Sequence, residues 1–338
     1  MKKEKIVLGM SGGVDSSVAA ILLQKKGFEV YGVFMKNWDD KNAICNAEDD
    51  YADAVSVCNQ LNIPLKKINY TKEYKDRVFS QFLDDHKNGF TPNPDVLCNK
   101  EIKFDVFQKY AKQIGATKIA SGHYAKIVKE NDNFFISKAS DRTKDQSYFL
   151  YQLKSSLLHN IEFPLGSLLK KDIRKIAEEN NLVNASKKDS TGICFIGDRK
   201  YNDFVCQFLK TKKGKIITVD GEEIGHHDGH MYFTVGQRKG LGIGARNSAF
   251  DKPWYVVNKD INKNIVYVAQ GGTHPALFSD QLLADNMYWS RDISKLLPFK
   301  CNAKVRYRDE DHSCQILSSN EDKCCLLYTS DAADEGWW

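Results

Sequence analysis

Apolar and polar positions change rhythm several times along the first part of the chain. Lys5 to Met10, with the run Ile6-Val7-Leu8, reads as a strand, and helical spacing follows from Val18 to Lys26. Phe28 to Phe34, a helix near Tyr51 to Leu61, and Leu65 to Tyr70 after Pro64 repeat the alternation. This order predicts a doubly wound parallel sheet. Helical spacing continues through Tyr74 to Lys87 and Ile102 to Gln113. Lys118 to Ala120 is a further short strand ending at Ser121-Gly122-His123-Tyr124. From about Gly214 the texture turns to short strands with Gly-rich turns, such as Lys215 to Val219, Trp254 to Asn258 and Asn264 to Ala269, which predicts one or two small β domains. The expected class is α/β: a doubly wound sheet over 1–205, a small β domain over 206–278 and a β-barrel-like domain over 279–327. The tail 328–338, with two terminal tryptophans and no strand signal, reads as foreign sequence appended to a truncated last domain.

The first strand runs directly into Gly9-Met10-Ser11-Gly12-Gly13-Val14-Asp15-Ser16-Ser17. Gly12 and Gly13 permit close backbone approach to an anion, and Ser11, Ser16 and Ser17 offer hydroxyls at the start of a helix. No Lys follows the glycines as in a GxxxxGKS loop, so the charge of a bound pyrophosphate must be neutralised elsewhere, with Mg²⁺ beside Asp15 as the expected cation. That favours nucleotide chemistry that releases AMP. Ligands of such sheets sit at the carboxyl ends of strands, which adds Gly122 and His123 to the candidates.

Composition sets limits on this reading. A chain of 338 residues with 42% hydrophobic residues has room for two or three domains, and no apolar run reaches membrane-spanning length. Met1-Lys2-Lys3-Glu4-Lys5 leads straight into a strand rather than a signal peptide, so a cytoplasmic location and no membrane partner are expected. The net charge of +5 permits an acidic polymer as partner without requiring one. Nine cysteines, an odd number, point to reduced thiols rather than a disulfide framework.

Two of these cysteines stand out. Cys98 follows Asn93-Pro94-Asp95 and precedes a helix expected from Lys100, so it reads as a thiol biased toward thiolate by a helix N-terminus, Lys100 and Lys103, with Asp95 as proton acceptor or orienting group. Cys194, in Gly192-Ile193-Cys194-Phe195-Ile196-Gly197, reads either as part of a core strand or as a mobile thiol on a Gly-flanked loop. Cys45, Cys58, Cys206, Cys301, Cys314, Cys324 and Cys325 read as structural, and the absence of any CxxC argues against a zinc knuckle or iron–sulfur cluster. The run His226-His227-Asp228-Gly229-His230 lacks an accompanying Cys or carboxylate cluster and reads as structural or RNA-facing rather than as a metal site. Asp141 to Tyr148, Thr234 to Gly242 and Arg306-Tyr307-Arg308 combine charge, amide and aromatic groups suited to RNA, and equally read as solvated loops.

Taken in order, Ser11 to Ser16, Asn93-Pro94-Asp95 before Cys98, Gly122-His123-Tyr124, Lys144-Asp145-Gln146-Ser147, Gly192 to Gly197 and Thr234 to Gly242 resemble the bacterial tRNA-specific 2-thiouridylase (MnmA) family of the pyrophosphatase-loop superfamily. The likeness runs from residue 5 to about 310. It implies an adenine nucleotide alpha hydrolase-like first domain and ATP-dependent thiolation of the wobble uridine in tRNAs for Lys, Glu and Gln. It further implies that Gly9 to Ser16, Met35 and Gly122 hold ATP with Mg²⁺, and that Cys194 carries a persulfide from a cysteine desulfurase or sulfur relay. Cys98 and Asp95 would complete the transfer and leave a Cys98–Cys194 disulfide. Asn93, Pro94 and Asp95 would contact the flipped-out base, and His123, Lys144, Asp145, Gln146, Arg306 and Tyr307 the tRNA. The family continues into a further β segment where this chain has its unusual tail, which puts the folding of the last domain in question. The rival readings are another adenylating synthetase or ligase, which has no need of two thiols, and a persulfide carrier or RNA-binding module without catalysis.

Overall fold

The structure, a computed structural model, describes residues 3–39, 47–189, 192–197, 199–243, 252–320 and 323–328. Cys45 and the tail from residue 329 lie outside them. The chain divides into two compact units, Met1–Gln81 with Asn93–Arg199, and Phe82–Pro92 with Lys200–Trp338.

The first unit is built on a five-stranded sheet. Its strands β1 (Lys5–Gly9), β2 (Glu29–Lys36), β3 (Leu65–Asn69), β4 (Lys118–Ala120) and β7 (Ile161–Glu162) lie in the order β3-β2-β1-β4-β7, all parallel. A hairpin of β5 (Ala125–Glu130) and β6 (Asn133–Lys138) stands apart from that sheet. Successive residues of a strand face opposite sides, and β1 shows why both sides are covered. Ile6 and Leu8 enter a core with Val18, Ile21 and Leu23 of helix α1 (Val14–Lys25), Ala54 and Val57 of α2 (Ala47–Gln60), and Ile173 and Ala177 of α5 (Lys170–Glu179). Val7 enters a second core with Phe104, Phe107 and Ala111. Apolar side chains on both faces of one strand are what a doubly wound sheet requires.

Two further helical runs, α3 (residues 71–87) and α4 (residues 94–113), each contain a stretch of wider π-type turns, Lys75–Phe79 and Cys98–Val106. Both begin earlier than apolar spacing alone predicts. In α4 the cause is capping: the Asn93 side chain accepts the Val96 N–H at 3.4 Å and Pro94 occupies the first helical position, so the helix starts before Cys98 rather than after it.

In the second unit β8 (Gly214–Thr218), β9 (Glu223–His227), β10 (Trp254–Asp260) and β11 (Ile265–Gln270) form one sheet in the order β10-β11-β8-β9 around Ile216, Val256, Val266 and Val268. The last domain is an antiparallel sheet of β12 (Gln281–Asp285), β13 (Phe299–Ala303), β14 (His312–Ser319) and β15 (Lys323–Tyr328), ordered β12-β15-β14-β13 over Cys314, Ile316, Cys324 and Leu326. Its final strand is an inner one, so among the described residues this domain has a formed sheet and core despite the unusual tail. The segment Phe82–Pro92, expected within the first domain, groups with the second unit. The His86 ring hydrogen-bonds the Tyr201 hydroxyl, Phe82 meets the Tyr201 ring edge-on, and Thr91 bonds Thr234 at 2.8 Å.

Gly166 fixes the hairpin of the first unit. A Cβ there would fall 1.9 Å from the Ala125 carbonyl oxygen, while the Gly166 carbonyl accepts the Ser140 N–H at 2.8 Å. Gly166→Ala is therefore expected to cost about 1–3 kcal/mol and lower the thermal midpoint of unfolding. Gly225→Ala, where a Cβ would meet nothing within 4 Å, is expected to leave that midpoint nearly unchanged.

Candidate active site

The loop between β1 and α1 is held from behind. Gly12 has φ +77°, and a Cβ on it would lie 2.1 Å from the Asp50 carbonyl oxygen, so α2 closes directly against the loop backbone. The buried Asn184 amide donates to the Gly12 carbonyl and to Ser17 Oγ, both at 2.9 Å. Ser16 and Ser17 hydroxyls both donate to the Gly13 carbonyl at 3.0 Å. The Gly12 and Gly13 carbonyls are thus occupied on the protein side, and the N–H groups of the first turn, Val14 to Ser16, have no acceptor within their helix. Ser17, read from sequence as a ligand donor, is wholly buried and serves the loop instead. Ser11 is exposed, with its hydroxyl 3.2 Å from that of Ser16.

Three strand ends converge here. A Cβ on Gly9 would lie 3.2 Å from Met35 Cε at the end of β2, and a Cβ on Gly122, after β4, would lie 3.0 Å from the Ser16 nitrogen. Met10 is buried and donates its N–H to the Val33 carbonyl at 2.8 Å. The glycines are what lets these segments touch.

A charged network lies beside the loop. Asp15 Oδ1 accepts the Tyr124 hydroxyl at 2.7 Å and the Lys170 ammonium at 2.8 Å, while Oδ2 accepts Lys170 at 3.0 Å. The same ammonium reaches Asp189 Oδ1 at 2.7 Å, and Asp189 also receives Arg174 at 2.9 Å and Lys144 at 2.8 Å. Burial alone would raise the Asp189 carboxyl, but the hydrogen bonds from Lys144 and Lys170 outweigh it and bring it to about 2. The protein thus sets an ammonium of its own beside Asp15. Lys187 pairs with Asp50 at 2.6 Å and with Asp53. Sequence reasoning missed Lys170, Arg174, Asn184, Lys187 and Asp189. The basic start of α5 and the pair Lys187-Lys188 before Asp189 were visible, but not their return to a loop more than 150 residues earlier.

Around Tyr124, the Asp145 carboxylate is buried and accepts the Ala139 N–H and the Ser147 hydroxyl, both at 2.7 Å. Gln146 Oε1 accepts the Tyr124 N–H at 3.0 Å. Both were read as surface contacts for RNA; Asp145 is instead turned inward and spent on its own loop, and Gln146 is half-buried against Tyr124.

The thiols form the other side of the site. Cys98 lies past the first turn of α4 and is buried, so its thiol is pushed up to about 12 by burial, with Lys103 opposing only in part. This corrects the expectation of a thiolate at a helix end. Lys100, expected to help, points to Glu101 at 3.7 Å and is exposed. Burial also raises the Asp95 carboxyl, against Lys103. Cys194 has its surface open to solvent, and it lies 3.4 Å from the hydroxyl of the buried Tyr74. The protein ringing its sulfur raises the thiol, the Tyr74 hydrogen bond lowers it, Asp95 raises it and Lys103 lowers it. The next residue, Phe195, is buried and packs its ring on Trp38, Phe79 and Tyr74 at 5.4, 5.3 and 6.0 Å. Cys194 is therefore on an anchored loop, not in a core strand. The field of Lys103 is felt by Asp95, Cys98, Cys194 and His123 together. His123 bonds Ser121 Oγ at 2.7 Å, sits against Phe104 and Phe163, and is held well below the usual imidazole range by burial and then by Lys103.

In the second unit Arg306 donates to the Val235 carbonyl, within the Thr234 to Gly242 turn, and the Arg308 guanidinium lies over the Tyr307 ring at 5.4 Å. His227 is buried against Phe233, and no group of three metal-ligating side chains occurs among the described residues. Cys206, read as structural, is exposed.

Two family models match the chain: the tRNA methyl transferase HUP domain over residues 4–198 and the tRNA methyl transferase PRC-barrel domain over residues 202–270. It is 53% identical to the tRNA-specific 2-thiouridylase MnmA 1 of Geobacillus kaustophilus over 94% of this chain and 85% of that protein. The chain belongs to the tRNA-specific 2-thiouridylase family. The MnmA proteins of Legionella pneumophila and Bacillus subtilis are each 49% identical to it, over 97% and 96% of this chain and 91% and 87% of theirs. The HUP match ends beside Arg199, where the first unit ends, and the PRC-barrel match spans β8 to β11.

Two outcomes are expected of this site in the free protein. At pH 8 iodoacetamide should modify Cys194 and Cys206 well before Cys98, as peptide mass spectrometry would resolve, because the Cys98 thiol at about 12 is almost wholly protonated. Asp189, held at about 2 when folded and near 4 when unfolded, stabilises the fold above pH 4 and loses that contribution as pH falls toward 2. Asp189→Asn should therefore cost about 1 kcal/mol in denaturant unfolding at pH 7, solvent screening taking part of the shift, with the difference from wild type shrinking between pH 4 and pH 2.

Proposed function

We propose that this protein is an ATP-dependent tRNA-uridine 2-sulfurtransferase, which thiolates the wobble uridine of tRNAs for Lys, Glu and Gln and releases AMP and pyrophosphate. The observation that carries the reading is the grouping of two thiols, Asp95 and His123 around Lys103, next to a glycine loop whose Gly12 carbonyl is held from behind by Asn184. A synthetase that only adenylates has no use for that pair of sulfurs.

The loop fits ATP. The first-turn N–H groups of α1 and Ser11 would take phosphate oxygens, and Gly9, Met35 and Gly122 would border the adenine. Mg²⁺ arriving on the phosphates would find Asp15 as its carboxylate, with Lys170 as the protein's own positive charge beside it. When bound, the nucleotide activates the uracil 2-carbonyl oxygen as a leaving group. Asn93, Pro94 and Asp95 would receive the base out of its stack, since its reactive oxygen is unreachable within one. Asp95, raised by burial, is suited to hold or release a proton there. His123, Lys144 and Gln146 would border the tRNA in the first unit, and Arg306 and Tyr307 in the second.

Sulfur reaches the enzyme from a persulfide donor, a cysteine desulfurase or a sulfur-relay protein. Cys194, the accessible thiol, takes it up. Either Cys98 attacks the Cys194 sulfur and expels sulfide, which then displaces AMP from C2 of the base, or the outer persulfide sulfur first displaces AMP at C2 and Cys98 then attacks the Cys194 sulfur to release the thiolated base; in both cases a Cys98–Cys194 disulfide remains for a reductant to reopen. Lys103 stabilises the Cys98 thiolate once its proton has gone. A cytoplasmic setting, where thiols stay reduced, suits this chemistry.

Labelled sulfur incorporation into unmodified lysine-accepting tRNA, with ATP and a persulfide donor, tests this directly. Wild type is expected to incorporate label, and Cys98→Ser and Cys194→Ser to lose at least about 100-fold while still releasing pyrophosphate. Full turnover by Cys98→Ser would favour an adenylating ligase instead.

A further inference from the structure

Tyr74 is a residue the proposed reaction does not yet use. Its side chain is 1% exposed, and its ring packs edge-on against Trp38 at 6.2 Å and Phe195 at 6.0 Å. Among the described residues, the polar partner of its hydroxyl is Cys194 Sγ at 3.4 Å. Burying a hydroxyl has a cost unless it is bonded, so placing one among aromatic rings beside one sulfur needs a reason that packing does not supply, since Phe would fill the same space.

We propose that Tyr74 is a catalytic residue of sulfur loading: its hydroxyl donates to the Cys194 sulfur and stabilises the thiolate that accepts sulfane sulfur from the donor persulfide. The proposal rests on the persulfide role given to Cys194 above. In the step, the Cys194 thiol gives its proton to solvent and its thiolate attacks the outer sulfur of the donor persulfide. The donor's S–S bond breaks as the Cys194 S–S bond forms, and the donor leaves as a thiolate, so the exchange is redox-neutral.

The groups facing Cys194 decide whether such a donor is needed. From α4 come Asp95, which opposes a thiolate, Lys103, which favours it, and Cys98; from α3 comes Tyr74; and the main-chain N–H of Cys194 itself also favours the charge. Burial, Cys194, Cys98 and Asp95 all keep the Tyr74 hydroxyl protonated, well above the usual phenol range. It is thus a donor at every working pH. Phe195, anchored in the same aromatic nest, holds the sulfur at that hydroxyl.

The test uses the full chain. The rate of Cys194 alkylation by iodoacetamide is followed against pH by peptide mass spectrometry in wild type, Tyr74→Phe and Phe79→Leu, and sulfur loading on Cys194 is timed with glutathione persulfide. Tyr74→Phe is expected to move the alkylation midpoint to higher pH and to slow loading at pH 7.5 roughly fivefold, the worth of one hydrogen bond. Phe79→Leu disturbs the same packing but keeps the hydroxyl, and is expected to leave the midpoint in place. A Tyr74→Phe protein that alkylates and loads like wild type overturns the proposal, as does an equal shift in Phe79→Leu, which would assign the effect to packing. If wild type itself loads no sulfur on Cys194, the persulfide reading of the site fails, and the Tyr74 role with it.

Discussion

The Lys170 ammonium stands between two carboxylates, 2.8 Å from Asp15 and 2.7 Å from Asp189, and is itself only 15% exposed. Without that charge, Asp189 would keep Arg174 and Lys144 but, among the described residues, Asp15 would keep only the Tyr124 hydroxyl, so the partly buried Asp15 carboxylate is the one left uncompensated. The contact joins the start of α1 to the segment that leads, five residues on, to Cys194. It makes the nucleotide loop and the sulfur-bearing loop parts of one electrostatic assembly, with Arg174 and Lys144 fixing the far carboxylate. Asn184 and Lys187, from the same stretch, reach the Gly12 carbonyl and the acidic residues of α2. The loop is shaped less by its own residues than by this return of the chain.

That dependence explains what could and could not be read from the residues alone. The alternation of Ile6-Val7-Leu8 with the following helix is a local signal, and the parallel sheet follows from several such signals in series. The loop glycines are equally legible, because positive φ and close approach are properties of single positions. The state of Cys98 was not legible. Proximity in sequence to Asn93 and Pro94 suggested a helix end, but the cap sits five residues before the sulfur, and burial against the helix dipole and Lys103 is settled only by packing. Asp145 was misread for a similar reason: a charged residue in a polar run looks solvated until its partners, Ala139 and Ser147, are seen to enclose it.

The two units carry different kinds of order. The first places chemistry at strand ends, where main-chain N–H groups and small residues leave room for a ligand. The second is made of two antiparallel or mixed sheets with small cores, and its contacts with Arg306 and the Thr234 to Gly242 turn are made through backbone carbonyls and rings.

The contrast between an open Cys194 and an enclosed Cys98 has a consequence for how the protein ages in a cell. An oxidant or alkylating agent diffusing in from solution meets Cys194 first, because Cys98 is buried. Mild oxidation from the medium therefore falls first where a thiol reductant can also reach it, while alkylation there is permanent and the sequestered sulfur is spared. Accessibility and the protonation of the enclosed thiol act together to direct stray chemistry to the outer sulfur.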